Sequence, residues 1–199
     1  MIGAVISSDG FKLKVNRILG QAKNPRAIMA AVGREGAYQL RGHFRKKDQT
    51  EKNKLGGKRE HFWRQVMGSV SAPTVSSSGR TVVINITDPR FAQKLFGGTI
   101  TAKRARALTI PVTAEAYGRA TSTFEKETGV KLFFIGKDFA NGALAAQIDG
   151  RVTIHYLLRK SVHQDKDPNA LPPQEQLEDA VTRRAQSVLD RQIKGGSPA

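Results

Sequence analysis

The chain has 199 residues, no cysteine, and 33 Lys and Arg against 17 Asp and Glu, a formal charge of +16. The missing cysteines remove disulfides, thiolate metal sites and cysteine nucleophiles together. Hydrophobic residues, glycine not counted, make up 39%, and some segments are expected to bury little within the monomer.

The first 23 residues hold the alternating run Phe11-Lys-Leu-Lys-Val15, which fits a short strand or the lead-in to a helix. Lys12, Lys14 and Arg17 interrupt any signal-peptide core. With the absent cysteines, this gives the expectation of a protein made in a reducing cytoplasm. Asn24-Pro25 reads as an N-cap followed by Pro at the first helical position. The helix it opens carries Ile28, Ala31, Val32, Tyr38 and Leu40 to about residue 47, weakened at Gly33, Gly36 and Gly42 by about 1 kcal/mol each. Residues 45–59, with Arg45, Lys46, Lys47, Lys52, Lys54, Lys58 and Arg59 around Gly56-Gly57, are expected to form a mobile basic loop. Phe62, Trp63, Val66 and Met67 then share one face of a short helix.

A Ser-rich turn over Pro73–Gly79 precedes Arg80–Thr87, whose β-branched density predicts a strand. Asp88-Pro89 ends it and starts a short helix through Phe91, Leu95 and Phe96, broken by Gly97-Gly98. A basic run, Ala102–Ala107, leads to Leu108–Val112, which Pro111 assigns to a sheet edge. Ala114 to about Phe124 is helix-permissive. Val130–Ile135, Ala143–Ile148 and Val152–Leu158 are three further strands, the last two joined through the hairpin signal Asp149-Gly150. An amphipathic helix over Gln174–Lys194, with Leu177, Val181, Val188 and Ile193 on its apolar face, closes the chain before a disordered tail at 195–199.

This order predicts a single α+β domain over residues 1–199, with an antiparallel sheet of about four to six strands flanked by helices, extended loops and a C-terminal amphipathic helix. Nothing predicts an enzyme or a cofactor. His43, His61, His155 and His163 share no metal-ligand spacing. Ser76–Ser78 has no elbow motif around it, and Gly56-Gly-Lys58 lacks the rest of a phosphate loop. No stretch approaches the ~18 apolar residues of a membrane span, so no membrane partner is expected. The positive surplus fits either an acidic protein neighbour or nucleic acid.

Taken in order, Leu55-Gly-Gly-Lys58, His61-Phe-Trp-Arg64, Phe96-Gly-Gly-Thr-Ile100 and Leu108-Thr-Ile-Pro111 resemble the phage Mu-type virion morphogenesis proteins, the tail-completion and neck proteins of tailed phages. The likeness runs over residues 24–194 and includes Leu157–Val162, Leu171-Pro-Pro173 and the C-terminal helix. Phe96 stands where that family more often has His. The resemblance implies a structural virion protein of the neck, a tail completion or terminator protein assembled in the host cytoplasm. It would form a ring, commonly a hexamer, that joins the tail tube to the head connector, with packaged DNA as a further partner that the charge admits. Its candidate assembly residues are Leu95, Phe96, Gly97, Gly98, Thr99, Ile100, Lys103, Arg104 and Arg106, with the basic loop at 45–59 as a second bridging element. The alternative is a basic nucleic-acid-binding module, for which no recognised reader motif is present.

Overall fold

The computed structural model describes residues 9–51, 55 and 61–195. The fold is α+β and ends in a helix. The chain divides into two compact units. One comprises the chain to Gln49, Phe62–Phe96 and the chain from Lys166 onward; the other comprises Thr50–His61 and Gly97–Asp165.

Helices dominate the first unit. Phe11–Val15 lies inside α1 (Asp9–Gly20), which buries Val15, Ile18 and Leu19. The long α2 (Pro25–Thr50) starts where Asn24 accepts a side-chain hydrogen bond from the Ala27 N–H at 3.1 Å. Pro at the first helical position needs no such partner. The C-terminal α6 (Gln174–Ile193) packs Leu177, Val181, Ala185, Val188 and Leu189 against α1 and the first half of α2. Two residues expected on the apolar faces are instead exposed: Tyr38 and Ile193. Met29, Ala37 and Phe44 on α2 and Leu189 on α6 are buried in addition to the rest of those faces.

A second cluster joins the end of α2 to α3 (Phe62–Gly68) and α4 (Pro89–Phe96). Phe44 stacks on Trp63 at 5.8 Å and meets Phe91 edge-on at 5.5 Å, aromatic geometries worth about 0.5–1.5 kcal/mol each beyond the area they bury. Between α3 and α4 the chain runs out and back. The predicted Arg80–Thr87 strand is regular only at β2 (Val82–Val83), paired with β1 (Thr74–Val75). The Ser71 N–H still donates to the Asn85 carbonyl at 2.8 Å, and Val70 bridges Ile86. The register slips by one residue across Ala72-Pro73, where proline has no N–H to offer the ladder.

The second unit holds a four-stranded antiparallel sheet in the order β4 (Leu108–Pro111), β7 (Arg151–Arg159), β6 (Ala143–Ile148), β5 (Phe133–Ile135). β4 is an edge, as Pro111 predicts. The Asp149-Gly150 turn has positive φ at both residues, 49° and 78°, as a tight two-residue hairpin requires. On one face α5 (Thr121–Thr128) places Phe124 against Tyr156, with Ala116, Leu132 and Leu144 completing that small core. Tyr156 is fully buried, and its hydroxyl donates to the Arg119 carbonyl at 3.1 Å. Burial pushes this phenol above its ordinary value. A separate two-stranded ribbon pairs β3 (Gly98–Thr101) with β8 (Ser161–Gln164), a strand that the sequence pattern alone did not reveal.

Candidate assembly surface

The candidate residues around the double glycine fall in three settings. Leu95 and Phe96 end α4, with Phe96 exposed. Gly97 and Gly98 have φ of 69° and 122°, a conformation that side-chain-bearing residues rarely adopt, so a turn from helix to strand at this point needs glycine. Thr99 and Ile100 lie in β3, paired with His163 and Val162 of the same chain. Lys103, Arg104 and Arg106 occupy the loop between β3 and β4 and are exposed.

The expected basic loop at 45–59 needs correction at its start. Residues 45–50 continue α2, so Arg45, Lys46 and Lys47 are helical. Lys47 is only 8% exposed. Its Nζ donates to Asp167 Oδ2 at 3.0 Å and lies 4.4 Å from the centre of the Trp63 ring. The paired carboxylate and the indole face together stabilise a buried ammonium that would otherwise not be tolerated there. Burial alone would raise the Asp167 pKa; hydrogen bonds from Lys47 and from the Asn169 N–H, with the charges of Lys47 and Lys94, outweigh it and hold the carboxyl below its ordinary range. Asp88 is also held low, first by its side-chain hydrogen bond from Arg90. Lys52, Lys54, Lys58 and Arg59 lie outside the described residues, as does the tail from residue 196.

The histidines sit apart. His43 Nε2 is 2.9 Å from the Asn169 carbonyl. His163 is 3.6 Å from Asp165. His155 is buried against Phe124 at 4.6 Å, its Nδ1 2.9 Å from Thr113 Oγ1, while its Nε2 has no hydrogen-bond partner among the described residues.

His155 also shapes the surface that motif reading passed over. Leu144 pairs with Tyr156, but Ala145 pairs with Ile154, so His155 is an extra residue, a β-bulge. It lets both His155 and Tyr156 enter the small core and re-aims the strand before it. Cross-strand partners share a face, so one row across the sheet reads Phe133, Ala145, Ile154 and the next reads Ile135, Ala143, Leu157, Ile110. Val152 extends the first of these along β7. Phe133 is 42% exposed, Ile135 40%, Val152 55% and Ile154 42%, on the face opposite Phe124 and Tyr156. The only charged residues in the four strands are Arg151 and Arg159. The result is a sheet face that carries exposed apolar side chains, with β5 at the edge of the sheet among the described residues. Its signal in the sequence is adjacent apolar pairs, Phe133-Phe134 and Leu157-Leu158, which put large side chains on both faces of a strand.

No family model, curated protein or solved structure matches the chain.

Proposed function

We propose that this chain is a structural ring subunit at the head–tail junction of a tailed phage, a tail completion or terminator protein that joins the tail tube to the head connector. The observation that carries this reading is the set of exposed apolar side chains Phe133, Ile135, Val152 and Ile154 on one face of the sheet. Contiguous apolar surface of this kind on a folded chain marks a protein–protein contact. The ordered motifs from Leu55-Gly-Gly-Lys58 to Leu108-Thr-Ile-Pro111 supply the phage context, by resemblance.

The occupant of that face is a second copy of the chain. The first turns of α6 bring Glu175, Glu178 and Asp179 together with no basic residue before Arg183. That acidic patch complements the positive surplus of the chain as a whole. A contact between two different surfaces of one chain is heterologous, and heterologous contacts that close generate rings. Electron microscopy of particles assembled without this protein tests the reading: unjoined heads, or tails of uncontrolled length, are expected. Normal joined virions would refute it.

A further inference from the structure

The loop between β3 and β4 has a geometry that points to a ligand. Thr101 pairs with Ser161 and Leu108 pairs with Arg159, so the whole Ala102–Ala107 segment stands opposite the single residue Lys160. Both ends are fixed, one by the Ala102 N–H donating to the Lys160 carbonyl at 3.2 Å and the other by the resumed β4–β7 ladder. Ala107 is buried at the exit. The excursion therefore projects from a paired strand on a narrow base. It carries Lys103, Arg104 and Arg106 between the strand positions paired with Ser161 and Arg159, and among the described residues none of these three, Arg159 or Lys160 has a carboxylate in ion-pair range.

We propose that this loop, with Arg159 and Lys160, is a binding site for the phosphate backbone of duplex DNA. An acidic protein partner suits it less well. Protein interfaces centre on large apolar or aromatic side chains, and apart from its three cations the loop offers only Ala102, Ala105 and Ala107. A polyelectrolyte contact needs charge alone, and the guanidinium groups of Arg104 and Arg106 have the fork geometry that fits phosphate oxygens; half-buried Arg159 already donates from Nη1 to the Leu158 carbonyl at 2.8 Å and adds its charge. Residues 98–112 contain no aromatic side chain, so single strands have no stacking platform there. Without base-edge readers the binding is independent of sequence. This site adds a partner to the ring reading and does not depend on it, because DNA binding is read on the purified chain whatever its oligomeric state.

The test is fluorescence anisotropy with a 20-base-pair duplex across a salt series, with wild type compared against K103A/R104A/R106A and against a charge-matched control, K14A/R17A/R34A. Three to five phosphates neutralised give a log–log slope of about −2.7 to −4.5 for wild type, at about −0.9 each. The loop variant is expected to lose up to about 2.7 of that slope, and the control none. Single R104A and R106A variants, each removing about 0.9, serve if the triple variant fails to fold. No binding at low salt, equal losses in the two triple variants, or competition by poly-glutamate as effective per charge as by DNA would each overturn the site.

Discussion

Gly33 and Gly42 lie on the same helix, and the same substitution is expected to act on them with opposite sign. A Cβ at position 33 would come within 2.6 Å of both Pro73 Cβ and Val82 Cγ2, whereas at position 42 it would meet nothing within 4 Å. Carbon contacts are comfortable at about 3.5–4.0 Å, so at Gly33 the β1–β2 ribbon must withdraw by roughly 1 Å. Neither obstructing atom is the end of a flexible side chain. Helix propensity favours alanine at both sites by about 1 kcal/mol. Overpacking at Gly33 costs about 1–3 kcal/mol, and two fixed contacts put it near the top of that range. Gly33→Ala should therefore destabilise by about 2 kcal/mol and Gly42→Ala stabilise by about 1 kcal/mol. At this chain length the shifts correspond to a Tm lower by about 4–8 °C and higher by about 2–4 °C. Urea and thermal unfolding followed by circular dichroism measure both. A Gly33→Ala protein as stable as Gly42→Ala would refute the close approach of α2 to the ribbon.

Lys47→Met keeps the aliphatic stem over Trp63 but strips Asp167 of its cation, and is expected to destabilise by about 1–3 kcal/mol. Arg45→Met, on the exposed side of the same turn, should stay within about 0.5 kcal/mol in the same urea titration. Asp88 and Asp167 have folded-state pKa values below their unfolded ones, so their contribution is present above about pH 4 and is lost as the pH falls through the folded values. Asp167→Asn should lower stability at neutral pH and flatten its decline in acid; an acid limb as steep as wild type would show that Asp167 does not drive it.

Much of the second unit was legible because its signals are local. Asp149-Gly150 demands a tight hairpin, Pro111 demands an edge, and the β-branched run Val152-Thr153-Ile154 marks β7. The boundary of α2 was misjudged because charge was taken as a sign of a solvated loop. Lys46 and Lys47 are good helix formers, and only the tertiary partners Trp63 and Asp167 explain why Lys47 is buried. β8 escaped because Ser161–Gln164 has no apolar alternation; it is a strand because Gly98–Thr101 lies alongside it. The apolar sheet face was hidden by the bulge at His155. Simple alternation puts Ile154 and Val152 with Tyr156 in the core, and one extra residue turns them out. A register shift of this kind is set by long-range pairing, which no short window of sequence contains.

Mass photometry of wild type beside Ile154→Asp bears most directly on the proposal that the sheet face joins copies of this chain. Wild type should populate a closed species several times the monomer mass, and the variant should remain monomeric with an unchanged unfolding transition, because Ile154 points away from the Phe124–Tyr156 core. A wild type that stays monomeric at every concentration, or an Ile154→Asp protein that assembles as well as wild type, would contradict it.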